Sequence, residues 1–144
     1  MQYEQKYRDT HKEHQASYDK EYRKLNQDKI QKRYFGYVSS LKGRFSQWRI
    51  NAGKRGKEWG LVLSDLENIP LVCHYTGIEL TLEPNKNNTI SLDRVDSSKG
   101  YIKGNVVFCL ATINSMKYTL SQEDFYTICK LVVEHKEKGM VNTR

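Results

Sequence analysis

The chain has 144 residues, 38% hydrophobic and 28% charged, with two prolines and nine glycines, which fits one domain with a modest core and excludes a second full one. Lys and Arg number 24 against 17 Asp and Glu, a formal charge of +7. That balance excludes acidic-tail and halophile classes and points to a polyanionic partner. No apolar run approaches the roughly 20 residues that cross a bilayer, and Met1 to Lys12 lacks the hydrophobic stretch of a secretory signal. The expectation is therefore a soluble, cytoplasmic protein with no membrane partner.

The charge is unevenly spread. Up to Trp59 there are 15 basic and 7 acidic residues; beyond it there are 9 and 10. A basic arm, residues 1–36, followed by a nearly neutral globular part, residues 37–144, is the expected organisation. Within the arm, Tyr3-Glu4-Gln5-Lys6-Tyr7-Arg8-Asp9 recurs as Tyr18-Asp19-Lys20-Glu21-Tyr22-Arg23-Lys24. The tyrosines four residues apart, and the lack of Pro and Gly before Gly36, predict one long, solvated helix held by side-chain pairs along its surface. It is either a semi-ordered charged helix or a surface whose Lys and Arg follow a phosphate backbone while its tyrosines stack.

Next, Leu41, Phe45, Trp48 and Ala52 recur at helical spacing. Gly56 is a plausible stop for that helix, and Lys54 and Arg55 beside it either complement the helix dipole or meet phosphate. Trp59, Leu61 and Leu63 alternate as a short strand does, and Ser64-Asp65-Leu66-Glu67 has the form of a capping box. The cysteines Cys73, Cys109 and Cys129 form no Cys-x-x-Cys pair and are odd in number, so the expectation is reduced, buried side chains with no structural zinc.

Residues 89 to 95 and 105 to 109 are rich in β-branched and apolar types, and the link from Asp96 to Gly104 carries Ser-Ser, two glycines and a lysine, Lys103. A β-hairpin with a generous loop follows. After it, Leu110, Ile113 and Met116 mark the apolar side of a helix that sets Asn114 and Lys117 together on another side. Ser121 to Asp124 opens a last helix, with Phe125, Ile128, Cys129 and Val132 along one stripe expected to pack in the core. A carboxylate late in the first strand and an amide on the following helix can hold one hard cation between Asp93 and Asn114. Oxygen ligands suit Mg²⁺ or Mn²⁺, with water and phosphate oxygens completing the shell. That chemistry is phosphodiester hydrolysis.

Leu92-Asp93-Arg94-Val95-Asp96, Gly104-Asn105-Val106-Val107 and Asn114-Ser115-Met116-Lys117 together resemble the HNH, or ββα-metal, endonucleases, especially small phage and homing-type members. The likeness covers residues 73–118, about a third of the chain. The resemblance implies an α+β fold in which a ββα-metal hairpin-plus-helix core carries flanking helices and the long basic N-terminal helix. It also implies a metal-dependent endonuclease acting on double-stranded DNA, in the host cytoplasm if phage-encoded. By the same resemblance Asp93 and Asn114 bind the metal, Asn105 pins the loop that aims the first motif, and Lys117 lies near the DNA backbone, with Lys54, Arg55 and Lys103 as further DNA contacts.

The chain departs from the family at Arg94, which stands where the general-base His is usual. A guanidinium with a pKa above about 12 accepts no proton from water at neutral pH. A hydroxide from the metal or from solvent, or a nearby group such as His74 or Tyr101, would replace it, with Arg94 clamping phosphate; otherwise activity is lost and the protein is a non-catalytic DNA-binding module. Neighbouring residues of a strand face opposite ways, so the strand is expected to bend or end at Asp93 and Arg94. Where zinc-bearing relatives carry two Cys-x-x-Cys pairs, this chain has Cys73 and Thr76, then Leu110 and Ile113, an apolar replacement.

Overall fold

The stretch before Val38 contains no proline and one glycine, and it is helical almost throughout in the computed structural model, which describes residues 2–141. It forms two helices rather than the single one expected: α1 (Gln2–Leu25) and α2 (Gln27–Val38). The break falls at Asn26, whose side-chain amide donates to the Tyr22 carbonyl at 2.9 Å and so competes with the helix ladder for that acceptor. Gly36 lies inside α2 instead of ending it. Surface pairs hold α1: Tyr7 stacks on His11 with ring centroids 4.7 Å apart, Tyr18 on Tyr22 at 6.3 Å, and Gln15 bonds Asp19. The side chain of Tyr3, part of the repeated motif, lies outside the described residues. The chain divides into two compact units between Tyr37 and Val38.

In the second unit α3 (Leu41–Lys54) begins at Ser40, whose hydroxyl accepts the Gly43 N–H. Leu41, Phe45, Trp48 and Ala52 turn into the core as their spacing required. The helix stops through Arg55 and then Gly56, whose φ of 61° is the left-handed conformation glycine tolerates best. The alternating Trp59 to Leu63 stretch is not a strand; one bridge joins Trp59 to Tyr101, with Gly60 and Glu58 bonded to Tyr101 on either side. Gly100 is required there, because a Cβ would lie 2.6 Å from Glu58 Cβ. The short α4 (Ser64–Glu67) has Leu63, not Ser64, at its N-cap, and the Asp65 carboxylate reaches back to the Val62 N–H at 2.9 Å.

Strands β1 (Ile90–Arg94) and β2 (Val106–Leu110) pair antiparallel, Ile90 opposite Leu110 through Arg94 opposite Val106. Helix α5 (Ala111–Lys117) follows β2 with no intervening residue, and α6 (Gln122–Val141) closes the chain. Ile90, Leu92, Phe108 and Leu110 are buried on one face of the hairpin, where Phe108 meets Trp48 at 5.9 Å; a buried ring of that size is worth about 1.5–3 kcal/mol. The arrangement is α+β, with six helices and a two-stranded antiparallel sheet among the described residues.

Two expected apolar stripes are only partly used. On α5, Met116 is exposed and Lys117 is buried, the reverse of the pattern the sequence suggested. On α6, Ser121 caps the start by accepting the Asp124 N–H and Phe125 is buried, but Ile128 and Val132 face solvent. No described helix is long and apolar enough to cross a membrane.

Candidate active site

Strand alternation puts Ser91 and Asp93 on the face opposite Leu92 and Phe108, and α5 lies across them. Its Asn114 side-chain amide donates to Ser91 Oγ at 2.7 Å and to the Leu92 carbonyl at 3.2 Å. One turn on, the Lys117 ammonium, fully buried, lies 3.3 Å from Asp93 Oδ2 and donates to the Arg94 carbonyl at 3.0 Å. Lys117 therefore does not point to solvent as a backbone contact. The carboxylate on β1 turns it inward, since a buried Asp93, 4% exposed, needs a counter-charge.

The second partner of Asp93 has no counterpart in the sequence expectations. Tyr75 donates its hydroxyl to Asp93 Oδ2 at 2.6 Å, its ring held edge-on by Phe125 and Tyr126 of α6. A tight turn with Gly77 at φ 71° brings Tyr75 into place, and the His74 N–H anchors that turn to the Phe108 carbonyl on the outer edge of β2. Burial and then the Asp93 carboxylate raise the Tyr75 pKa well above the usual phenol value, and burial followed by the same carboxylate pushes Cys109 up to about 12. Cys73 and Cys109 are buried, and the three cysteines are free. Cys73 Sγ accepts the Leu110 N–H at 3.4 Å and Ile113 packs against the core.

The sign of the resulting pH effect follows directly. Above pH 10 the unfolded chain releases the Tyr75 proton while the folded chain keeps it. The stability from this proton is thus complete below pH 10 and declines as pH rises from there. Tyr75→Phe is expected to lose about 1.5–3 kcal/mol at pH 7, the value of a hydrogen bond to a charged group, and to show a shallower decline above pH 10. Urea unfolding across pH 7 to 11 checks both; a variant as stable as the parent at pH 7 contradicts the contact's importance.

Asn105, 6% exposed, is the knot of the hairpin loop. Its Oδ1 accepts the Asp96 N–H at 2.9 Å, and its amide donates to the carbonyls of Asp96 at 3.1 Å and Gly100 at 2.9 Å. Gly104 before it takes φ 80°. Asp96 receives the Ser98 hydroxyl and N–H and lies beside Lys99, which together lower its pKa to about 2.

Arg94 ends β1, but its pairing with Val106 is regular, so the strand does not bend and Arg94 faces away from Asp93. One guanidinium nitrogen donates to the Ser97 and Lys99 carbonyls, both at 2.8 Å, and the group lies 5.3 Å from the Tyr101 ring centroid. Its role as a clamp on a phosphate held at Asp93 is corrected accordingly: it braces the loop. Tyr101, buried on that opposite side, accepts a hydrogen bond from Arg55 at 2.7 Å and is not beside Asp93. His74 is exposed and its ring meets Tyr75, which holds Asp93, edge-on at 5.0 Å. Arg55 also caps α3 through the Asn51 carbonyl, whereas Lys54 is exposed. Lys103 pairs with Asp65 of α4 at 3.3 Å.

Over 93 residues, 59% of this chain, the sequence is 32% identical to an uncharacterized 29.0 kDa protein in the dda-modA intergenic region of enterobacteria phage T4, covering 36% of that protein. Over 100 residues, 69% of this chain, it is 26% identical to an uncharacterized protein of Acanthamoeba polyphaga mimivirus, covering 18% of it. The chain thus spans about a third or less of the curated relatives it matches. No family model matches, and no solved structure matches.

Proposed function

We propose that the chain is a metal-dependent endonuclease of the HNH type that hydrolyses phosphodiester bonds of double-stranded DNA. The observation that carries this reading is the crossing of β1 by α5, which sets Asn114 and Lys117 against Ser91 to Arg94 on the same face as Asp93. The knotted loop at Asn105 supports it by fixing the end of β1.

The donor set suits a hard divalent ion, Mg²⁺ or Mn²⁺. The Asn114 amide nitrogen is committed to Ser91 and Leu92, so its oxygen is the atom it has to offer a cation. The hydrogen bond from Tyr75 and the ion pair with Lys117 both fall on Asp93 Oδ2, so Oδ1 is the oxygen left to a cation. No group of three or more His, Cys, Asp and Glu converges among the described residues, so the pair Asp93 and Asn114 would be the protein's share of the shell, the usual pattern for an ion that keeps waters and takes substrate phosphate. The chemistry such an ion supplies when bound is polarisation of the scissile phosphate and charge relief at the departing 3′-oxygen. Tyr75 and Lys117 hold the Asp93 carboxylate in one orientation, and His74, exposed beside Tyr75, is the side chain we assign as the base.

One observation favours a second reading, a DNA-binding protein without hydrolysis: the buried Lys117 already neutralises Asp93, and position 94 carries no base. Supercoiled plasmid incubated with Mg²⁺, Mn²⁺ or chelator separates the two. Nicking that needs the ion and falls about 100-fold or more in Asp93→Asn and Asn114→Ala is expected. Binding without cleavage under every condition favours the second reading.

A further inference from the structure

The free edge of β1 and the polar face of α3 enclose an open groove of about 500 Å³. None of its lining residues among those described is acidic, while Arg44, Lys54 and Arg55 are basic. Sequence composition sharpens the point. Between Val38 and Lys57 there are six basic residues and no acidic one, whereas the arm before them alternates both signs. Gln47, Asn51, Lys54 and Arg55 share one side of α3 at spacings of three and four residues, and Gln47, Asn51 and Arg55 are tied into a row. Gln47 donates to Asn51 at 3.0 Å, Arg55 donates to the Asn51 carbonyl at 3.1 Å, and Arg55 then reaches Tyr101. Four residues of helix advance about 6 Å, a step comparable with the separation of successive phosphates on one strand. Across the groove stand Ser91 and Asn114, so a strand lying along α3 is led to the Asn114 side chain.

We propose that this groove, rather than the tyrosine-rich arm, seats the sugar-phosphate backbone of duplex DNA, with α3 as the docking helix. The inference rests on the polynucleotide substrate proposed above and not on hydrolysis. Arg44 is positioned as the wall of the groove, since its Nε and one terminal nitrogen both donate to the Leu82 carbonyl, at 3.0 and 2.7 Å. The contacts to backbone fall to Lys54, Arg55 and the two amides, a mixture of charge and neutral donors that fixes register without reading bases.

The test is fluorescence anisotropy of a labelled DNA duplex with the full chain in chelator, over a range of salt. Lys54→Ala is expected to weaken binding about three- to tenfold near 0.1 M salt and to reduce the salt slope by about one. Gln47→Glu, which introduces an anion into an acid-free groove, is expected to weaken it about tenfold. Lys42→Ala and Arg49→Ala remove the same charge from exposed positions of α3 outside the groove and are expected to change affinity less than twofold. Equal losses in all variants, no loss in any, no binding by the parent, or preference for an RNA duplex of the same sequence would each overturn the assignment. Failure of the endonuclease reading appears separately, as absence of ion-dependent nicking by the parent while these binding differences persist.

Discussion

Lys117→Met is expected to cost the fold about 3–5 kcal/mol, because it strands the buried Asp93 carboxylate without a counter-charge and strips the Arg94 carbonyl of its donor. For a chain of this length the melting temperature should fall by roughly 10 °C or more. Methionine matches the lysine stem closely, so lost packing contributes little. The double variant Asp93→Asn, Lys117→Met should recover part of the loss, with a coupling of about 1–3 kcal/mol between the two sites. Urea unfolding at pH 7 of the parent, both single variants and the double variant measures it. A Lys117→Met protein within about 0.5 kcal/mol of the parent, the range of an ordinary surface substitution, would show that the pair does not hold β1 to α5. The same variants bear on function: with Lys117 gone, Asp93 keeps its Tyr75 bond, so a folded Lys117→Met protein tests whether the ammonium aids or obstructs binding of a cation.

Asn105→Ala removes three hydrogen bonds between a buried amide and the backbone, and at about 1 kcal/mol each plus the burial of unpaired groups the expected loss is about 2–4 kcal/mol. Asn105→Asp is the sharper variant. It retains the acceptor for the Asp96 N–H but sets a carboxylate against the Asp96 and Gly100 carbonyls, so it should be no more stable than the alanine variant at pH 7 and should recover as the pH falls and the new acid takes up a proton. Thermal melts at pH 4 and pH 7 distinguish the two. An aspartate variant as stable as the parent at pH 7 would mean the loop is held by its other contacts, chiefly Arg94 on the Ser97 and Lys99 carbonyls. Hydrogen exchange at Asp96 and Tyr101 should rise in both variants, since loop opening exposes those amides first.

Several elements were legible because their signals are local. The spacing of Leu41, Phe45, Trp48 and Ala52 needed only helical geometry to identify a buried face, and each of those residues packs in the core. Ser121 opens the last helix by accepting the N–H of Asp124, three residues on. The hairpin was visible from two β-branched runs around a glycine-bearing link; β1 falls inside the first run and β2 extends one residue past the second, to Leu110. Where local signals competed, the tertiary environment decided. Trp59, Leu61 and Leu63 alternate like a strand yet find one bridge, at Tyr101, in place of a partner strand. Ile128 and Val132 have helical spacing yet stand in solvent, while Phe125 on the same helix is buried against the Tyr75 ring.

The candidate site divides in the same way. The chain order of Asp93, Asn105 and Asn114, the alternation that separates Asp93 from Arg94 and the glycines that permit the turns at Gly56, Gly77 and Gly104 are all set by the sequence, because each depends on neighbours within a few positions. Only the folded molecule decides that Asp93 is gripped by Tyr75, 18 residues before it, and by Lys117, beyond the second strand. No periodicity encodes such partners, for they meet only when α5 crosses β1 and the turn at Gly77 brings Tyr75 alongside. Burial then makes an unpaired charge too costly to keep, and a lysine that helical spacing would have sent to the surface turns inward.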